Sequence, residues 1–194
     1  RQIPKFAKPG LPGEEFDLQL ELKLLADVGL VGFPNAGKST LLGAISAAKP
    51  KVASYPFTTL NPVVGVVEYP DYQRILVADI PGLIEGAHDN VGLGHAFLRH
   101  VDRCRLLLHV VDISCFEGRD PIDDIKNINY ELRRYSPELA ERPQIIIANK
   151  SDILDPEVVD VEEFEEFVRE NGWELMYVSA ATGKGLDEMV QRAA

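Results

Sequence analysis

No apolar run in this sequence comes near the roughly 20 residues that a membrane-spanning helix needs. The longest, Leu106 to Val111 (with His109 inside it) and Ile145 to Ala148, fall far short. Nor does the chain open with the basic-then-apolar pattern of a secretory leader, so a cytoplasmic location is the default expectation. Cysteine is scarce too. Cys104 and Cys115 are the only two, both in or beside apolar stretches, where a free thiol serves as a small buried hydrophobe rather than half of a disulfide. Positive charge is in deficit. Lys and Arg number 20 against 31 Asp and Glu, for a net charge of -11, which excludes broad coating of nucleic-acid phosphates because such binding needs cations to displace counterions. An RNA-rich partner has to be met through a local patch or another domain. The four histidines, His88, His95, His100 and His109, are spaced by 7, 5 and 9 residues. That matches no common metal-ligand pattern, and structural histidines with satisfied nitrogens are expected instead.

What is present suits one core. The 194 residues are 45% apolar with charge interspersed, as a single globular domain requires. Residues 1 to 13 carry Pro4, Pro9, Gly10, Pro12 and Gly13 and read as an extended linker. "FDLQLELK" then alternates, with Phe16, Leu18, Leu20 and Leu22 on one face, which predicts a half-buried strand. It is either the last strand of a preceding domain or an extension packed on the main one. We therefore expect residues 1–25 to be linker and the end of a preceding domain, and 26–194 to be the main domain, with its last helix cut short at "MVQRAA".

From Ala26 the pattern changes to six short apolar runs, "ADVGLVG", "VVGVVEY", "RILVADI", "RLLLHVVDI", "QIIIANK" and "ELMYVSA", separated by helical segments. Continuous Val, Leu and Ile runs suit strands buried on both faces, so the prediction is an α/β fold: a mainly parallel, doubly wound six-stranded sheet flanked by helices. One helix should start from Asp120 as N-cap with Pro121 first, placing Ile122, Ile125, Leu132 and Tyr135 near one face. Another should start from Asp160 with Glu163 three residues on, bury Phe164, Phe167 and Val168, and stop near Asn171-Gly172. Arg99, Arg103 and Arg105, and the acidic run "EEFEEF", read as solvated helix faces.

"GFPNAGKST" follows the first predicted strand and precedes the apolar helix "LLGAISAA", the context a phosphate-binding P-loop demands. The cradle is Gly32, Phe33, Pro34, Asn35, Ala36, Gly37, Lys38, Ser39 and Thr40. Lys38 would reach the terminal phosphates, and Ser39 would ligate Mg2+ through its hydroxyl. "NKSD" chooses the base. Asp152 can accept two N-H bonds from guanine, a donor pair adenine lacks. Asn149 can bond the other base edge and hold the loop, the stem of Lys150 can cover the base face, and Ser151 lies between. "SAATGKG" fits a loop of backbone donors at Ser179, Ala180 and Ala181 for the guanine carbonyl. GTP and GDP are therefore the expected ligands. "YPFTTLNP", with Phe57, Thr58 and Thr59, offers two threonines to the metal and phosphates. In "DIPGLIEG", Asp79 closes the Mg2+ shell, Ile80 and Pro81 lead to Gly82, and the Gly82 N-H can meet the γ-phosphate. The next residue, Leu83, cannot orient water, so Lys38, Mg2+ and further positive charge must carry any hydrolysis.

These stretches, together with "GLGHAFLRHVDRCRLLLHVVD", cover residues 24 to about 190, and on them the sequence resembles the GTPase domain of the Obg family of ribosome-associated GTPases. The first residues are similar to the end of that family's glycine-rich N-terminal domain. The resemblance implies a Ras-like G domain, slow GTP hydrolysis and association with the large ribosomal subunit; a monomer is expected. It also implies Thr59 as the switch threonine on Mg2+ beside Ser39. Asn35 occupies the P-loop position at which several similar GTPases recruit K+, and its amide can equally bond its own loop. The expected catalytic set is then Lys38, Asn35, Thr59 and Gly82. Val64 departs from an expected leucine without functional consequence. Two readings stay open: a GTPase used as a switch, and a guanine-nucleotide or alarmone binding module with negligible turnover. A small-molecule kinase is disfavoured, since a guanine-specific loop serves no purpose there.

Overall fold

The computed structural model describes residues 10, 13, 15–17, 26–52, 62–70, 73–79 and 104–194. Seven strands are seen among them: β1 (Val28–Val31), β2 (Lys51–Val52), β3 (Val63–Tyr69), β4 (Gln73–Asp79), β5 (Leu106–Asp112), β6 (Gln144–Asn149) and β7 (Glu174–Tyr177), in the order β2-β3-β4-β1-β5-β6-β7. β4, β1, β5, β6 and β7 run parallel, and β3 lies antiparallel to both β4 and β2. The sheet is thus mainly parallel, as expected, with seven strands rather than six. The additional one is two residues long and exposed, too short and too wet to leave an apolar run in the sequence.

The parallel strands are where the long apolar runs fall, because both faces are covered. β1 and β6 are buried at every position. On one face, α1 (Lys38–Ile45) and α5 (Leu186–Ala193) pack Leu41, Leu42, Leu186 and Met189 against Val28, Leu30, Leu108, Val110 and Ile147. On the other, α2 (Pro121–Tyr135), the short α3 (Pro137–Ala140) and α4 (Val161–Glu170) cover Val31, Leu107, Val111, Ile146 and Ala148. Each fully buried large aliphatic side chain contributes about 1.5–3 kcal/mol.

The helix ends follow the local signals. Asp120 accepts hydrogen bonds from Ile122 N and Asp123 N, with Pro121 in the first turn; Ile125, Ile128 and Leu132 are buried. Asp160 accepts from Glu163 N, and Phe164 and Val168 are buried while Phe167 packs partly against the core. α4 stops in a Schellman motif: Trp173 N donates to Val168 O, Gly172 N donates to Arg169 O, and Gly172 has φ 72. One expectation meets a correction at its start. Phe16 is 73% exposed and residues 15–17 form no strand. Alternation alone does not bury a face unless another surface covers it. The remainder of "FDLQLELK" lies outside the described residues.

Candidate nucleotide-binding site

All five parallel strands end at the same edge, and the register brings the singled-out residues together there. Leu30 pairs with Asp79, Val31 with His109, and Asp112 with Asn149. The order reverses beside β1, with β4 on one side and β5 on the other, and such a switch point opens a crevice at the carboxyl ends of the strands.

The loop after Val31 is shaped by what its neighbours allow. At Gly32 (φ 151) a Cβ would run into the Val110 carbonyl, and at Gly37 (φ 97) it would run into the Asn149 amide. Asn35 takes φ 62, a left-handed conformation that Asn tolerates better than most residues. α1 then starts with Gly37 as its N-cap and no side-chain cap, which leaves first-turn N-H groups for a ligand. Pro34, Asn35, Ser39 and Thr40 are exposed, whereas Ala36 is buried. Lys38 Nζ donates to Gly32 O (2.8 Å) and Phe33 O (2.9 Å), so its ammonium arches over the loop.

Ser39 Oγ donates to Asp79 Oδ2 at 2.9 Å. Asp79 is 6% exposed, and its Oδ1 has no hydrogen-bond partner among the described residues. A buried carboxylate oxygen without a partner is costly; a carboxylate beside a hydroxyl is the oxygen donor set that a hard divalent cation takes. The residues therefore fit Mg2+.

At the other end of the crevice Asn149, 2% exposed, ties three loops together. Its Nδ2 donates to Ala36 O (2.8 Å), and its Oδ1 accepts from Ala180 N (3.0 Å). Both ends of the side chain are thus bonded to neighbouring loops, with one Nδ2 hydrogen left over. Ala180, expected as a donor to the base, spends its N-H on Asn149 because that buried amide oxygen needs a partner. Lys150 (φ 64) sends its ammonium to Asp112, and Asp112 Oδ1 accepts from Ser114 N at 3.0 Å, so the Lys150 stem is held. Ser151 N donates to Val178 O at 3.1 Å, and Asp152 is exposed in the 3₁₀ turn Ser151–Ile153. Ser179 is fully buried, with its Oγ accepting from Thr182 N at 3.1 Å, while Ala181 is exposed.

Phe57, Thr58, Thr59, Ile80, Pro81, Gly82 and Leu83 lie outside the described residues, as do His88, His95, His100, Arg99 and Arg103. Arg105 is exposed. Cys104 and Cys115 are free thiols, the first buried; burial, reinforced by Asp120, Asp112 and Asp124, pushes the Cys115 thiol pKa up, which suppresses the reactive thiolate. His109 departs from expectation. It is fully buried, but neither ring nitrogen has a hydrogen-bond partner among the described residues. Burial lowers its pKa to about 4, opposed by the nearby Gln144 side chain and aided by the Lys38 charge, so it stays neutral near pH 7.

The sequence reading passed over the segment between β5 and α2. Asn35 Nδ2 donates to Glu117 Oε1 at 3.0 Å, and the Arg119 guanidinium lies 3.6 Å over the Phe33 ring. Arg119 also forks onto Asp124 at 2.7 and 3.2 Å. Burial raises the Asp124 pKa, and Arg119 works against that rise. "EGRD" signalled only the Asp120 cap, since no spacing in the sequence announces a contact between positions 82 residues apart.

A switch-point crevice with a P-loop at one end and an Asn149 loop bolted to it at the other defines a P-loop G domain. The chain belongs to the family described as 50S ribosome-binding GTPase, whose model matches residues 27–150. It is also 57% identical over 194 residues to the GTPase Obg of Acetivibrio thermocellus, covering 100% of this chain and 46% of that protein, so the Obg resemblance holds. The chain spans about half the length of the curated relatives it matches. Among solved structures, a GDP-bound mutant of S. thermophilus NFeoB is similar at TM-score 0.65 and 22% identity, over 88% of this chain and 62% of that one. The G domain of the T. maritima FeoB iron transporter is similar at TM-score 0.61 and 24% identity, over 86% and 94%. These two share the fold.

Proposed function

We propose that this domain binds GTP with Mg2+, hydrolyses it slowly to GDP and phosphate, and serves in the full-length protein as a nucleotide switch in large ribosomal subunit assembly. The protein acts as a cytoplasmic monomer. The observation that carries the reading is Asn149, which fastens the phosphate cradle to both base-reading loops through one buried amide. Lys38 exchanges its two loop carbonyls for the β- and γ-phosphates as nucleotide enters. Ser39, Asp79 and Thr59 hold Mg2+, which when bound neutralises phosphate oxygens. Gly82 presents its N-H to the γ-phosphate. Asp152 accepts from guanine, and Ala181 is left as the backbone donor at the guanine carbonyl, since Ala180 is committed elsewhere. With Leu83 in place of a water-positioning side chain, the Asn35 amide oxygen would be the ligand for K+, which would supply the further positive charge that hydrolysis needs.

Asp152→Asn tests the base reading. GDP affinity should fall by about 10²- to 10³-fold while xanthine-nucleotide affinity rises, because an amide presents a donor where the carboxylate accepted. Unchanged GDP affinity in titration calorimetry would remove Asp152 from the base site. Leu83 also supports the second reading, a guanine-nucleotide or alarmone binding module with negligible turnover. Single-turnover GTP hydrolysis separates the two: a measurable rate, faster in KCl than in NaCl at equal ionic strength, supports the enzyme, and no turnover in either salt supports the module.

A further inference from the structure

Asn35 and Glu117 come from different loops, and their contact has a direction. The Asn35 amide has a donor end and an acceptor end, and only the donor end, Nδ2, can satisfy a carboxylate. With Nδ2 on Glu117 Oε1 at 3.0 Å, Oδ1 is turned away from Glu117. The reverse orientation would set Oδ1 against an anionic oxygen and present N-H groups outward, where they repel a cation. The backbone adds to this selection, since Asn35 is held at φ 62 and the side chain leaves the loop from a fixed point.

Glu117 is itself well placed to act as a stop. It lies in a tight turn closed by Gly118 N donating to Cys115 O at 2.8 Å, with Cys115 at φ 52 and Gly118 at φ 70. On the upstream side, Asp112 Oδ1 accepts from Ser114 N, and Ser114 Oγ accepts from Phe116 N at 3.3 Å. On the downstream side, Arg119 is anchored on Asp124, which is 7% exposed, and stacks over Phe33 of the phosphate loop. The turn and the phosphate loop are thereby tied at two points, Phe33 and Asn35.

We infer that Glu117 is a positioning residue for the cation site, fixing the sense of the Asn35 amide so that Oδ1 is the end available to K+. The inference rests on the proposed K+ site at Asn35. Glu117 acts through Asn35 and touches neither nucleotide nor ion.

Two measurements on the full-length protein test it. In the first, asparagine is 15N-labelled and the Asn35 side-chain NH2 signal is assigned by its loss in Asn35→Asp. Glu117→Ala should shift that signal toward the position of a solvated amide, and Glu117→Gln, whose Oε1 can still accept, should restore most of the wild-type position. In the second, single-turnover GTP hydrolysis is compared in KCl and NaCl. The ratio of the two rates should fall roughly two- to tenfold in Glu117→Ala, the range one hydrogen bond can bias, and recover in Glu117→Gln. A signal unmoved by Glu117→Ala, or a wild-type rate ratio retained in that variant, overturns the role of Glu117. A signal that shifts as expected in Glu117→Ala, with equal wild-type rates in both salts, overturns the K+ reading beneath it. A turn that merely braced the loop would change thermal stability and leave the salt ratio intact.

Discussion

At the Asn149 end of the crevice the buried polar groups are bonded to one another, whereas at the P-loop end they rest on groups that a nucleotide, as proposed, would replace. Asn149 is satisfied at both ends by Ala36 and Ala180, and Lys150 is paired with Asp112. Lys38, by contrast, rests on the carbonyls of its own loop, and Ser39 leans on an Asp79 whose second oxygen has no partner among the described residues. The Asn149 end, proposed to take the base, is therefore pre-organised, and binding there would cost little reordering. The phosphate end holds its charges in provisional contacts. Substitutions at the two ends should consequently separate folding stability from ligand affinity.

The largest effect belongs to Lys38→Ala. Nucleotide affinity should drop on the order of 10³-fold or more, because several charge-assisted bonds to phosphate disappear together. Stability of the nucleotide-free protein should fall by no more than about 2 kcal/mol, since its losses include two part-buried carbonyl contacts that water can take over. Titration calorimetry with GDP and urea unfolding measure the two quantities. Guanine-nucleotide affinity near wild type would overturn the site assignment.

Asn149→Ala should behave differently, which is what makes the comparison breakable. It strands the Ala36 carbonyl and the Ala180 N-H, so the nucleotide-free protein should lose about 2–3 kcal/mol of stability, together with roughly tenfold or more in GDP affinity. If affinity falls while unfolding is unaffected, Asn149 belongs with Lys38 as a ligand group and the base end is not pre-organised.

The strands that build the crevice were legible because β1, β5 and β6 are covered on both faces and their side chains had to be apolar runs. β2 was illegible, since two exposed residues bonded by backbone alone leave no side-chain pattern. The P-loop and "NKSD" stood out in the sequence because phosphate and guanine would demand particular residue types at particular spacings. The actual partner of the Ala180 N-H, and the contacts of Glu117 and Arg119, escaped for the opposite reason. A backbone N-H is the same in every residue, and the Asn35–Glu117 and Phe33–Arg119 contacts exist only once β1 and β5 lie side by side. His109 misled because burial was visible in the strand pattern, but the identity of its neighbours was not.

The smallest effect sharpens the comparison most, because it divides the phosphate end itself. Ser39→Ala removes one hydroxyl that bonds Asp79 at 2.9 Å. Ser39 is exposed, so no cavity forms, and nucleotide-free stability should fall by about 1 kcal/mol at most, the ordinary worth of one hydrogen bond. In the presence of Mg2+ the variant should bind GDP about tenfold more weakly, the cost of one lost oxygen ligand in a site with few protein donors. With the metal chelated, wild type and variant should bind GDP equally, because the phosphate contacts of Lys38 and the α1 N-terminus remain. A tenfold loss that persists under chelation would mean that Ser39 touches phosphate directly, and the Ser39–Asp79 pair would then be a folded-state contact like those at the base end.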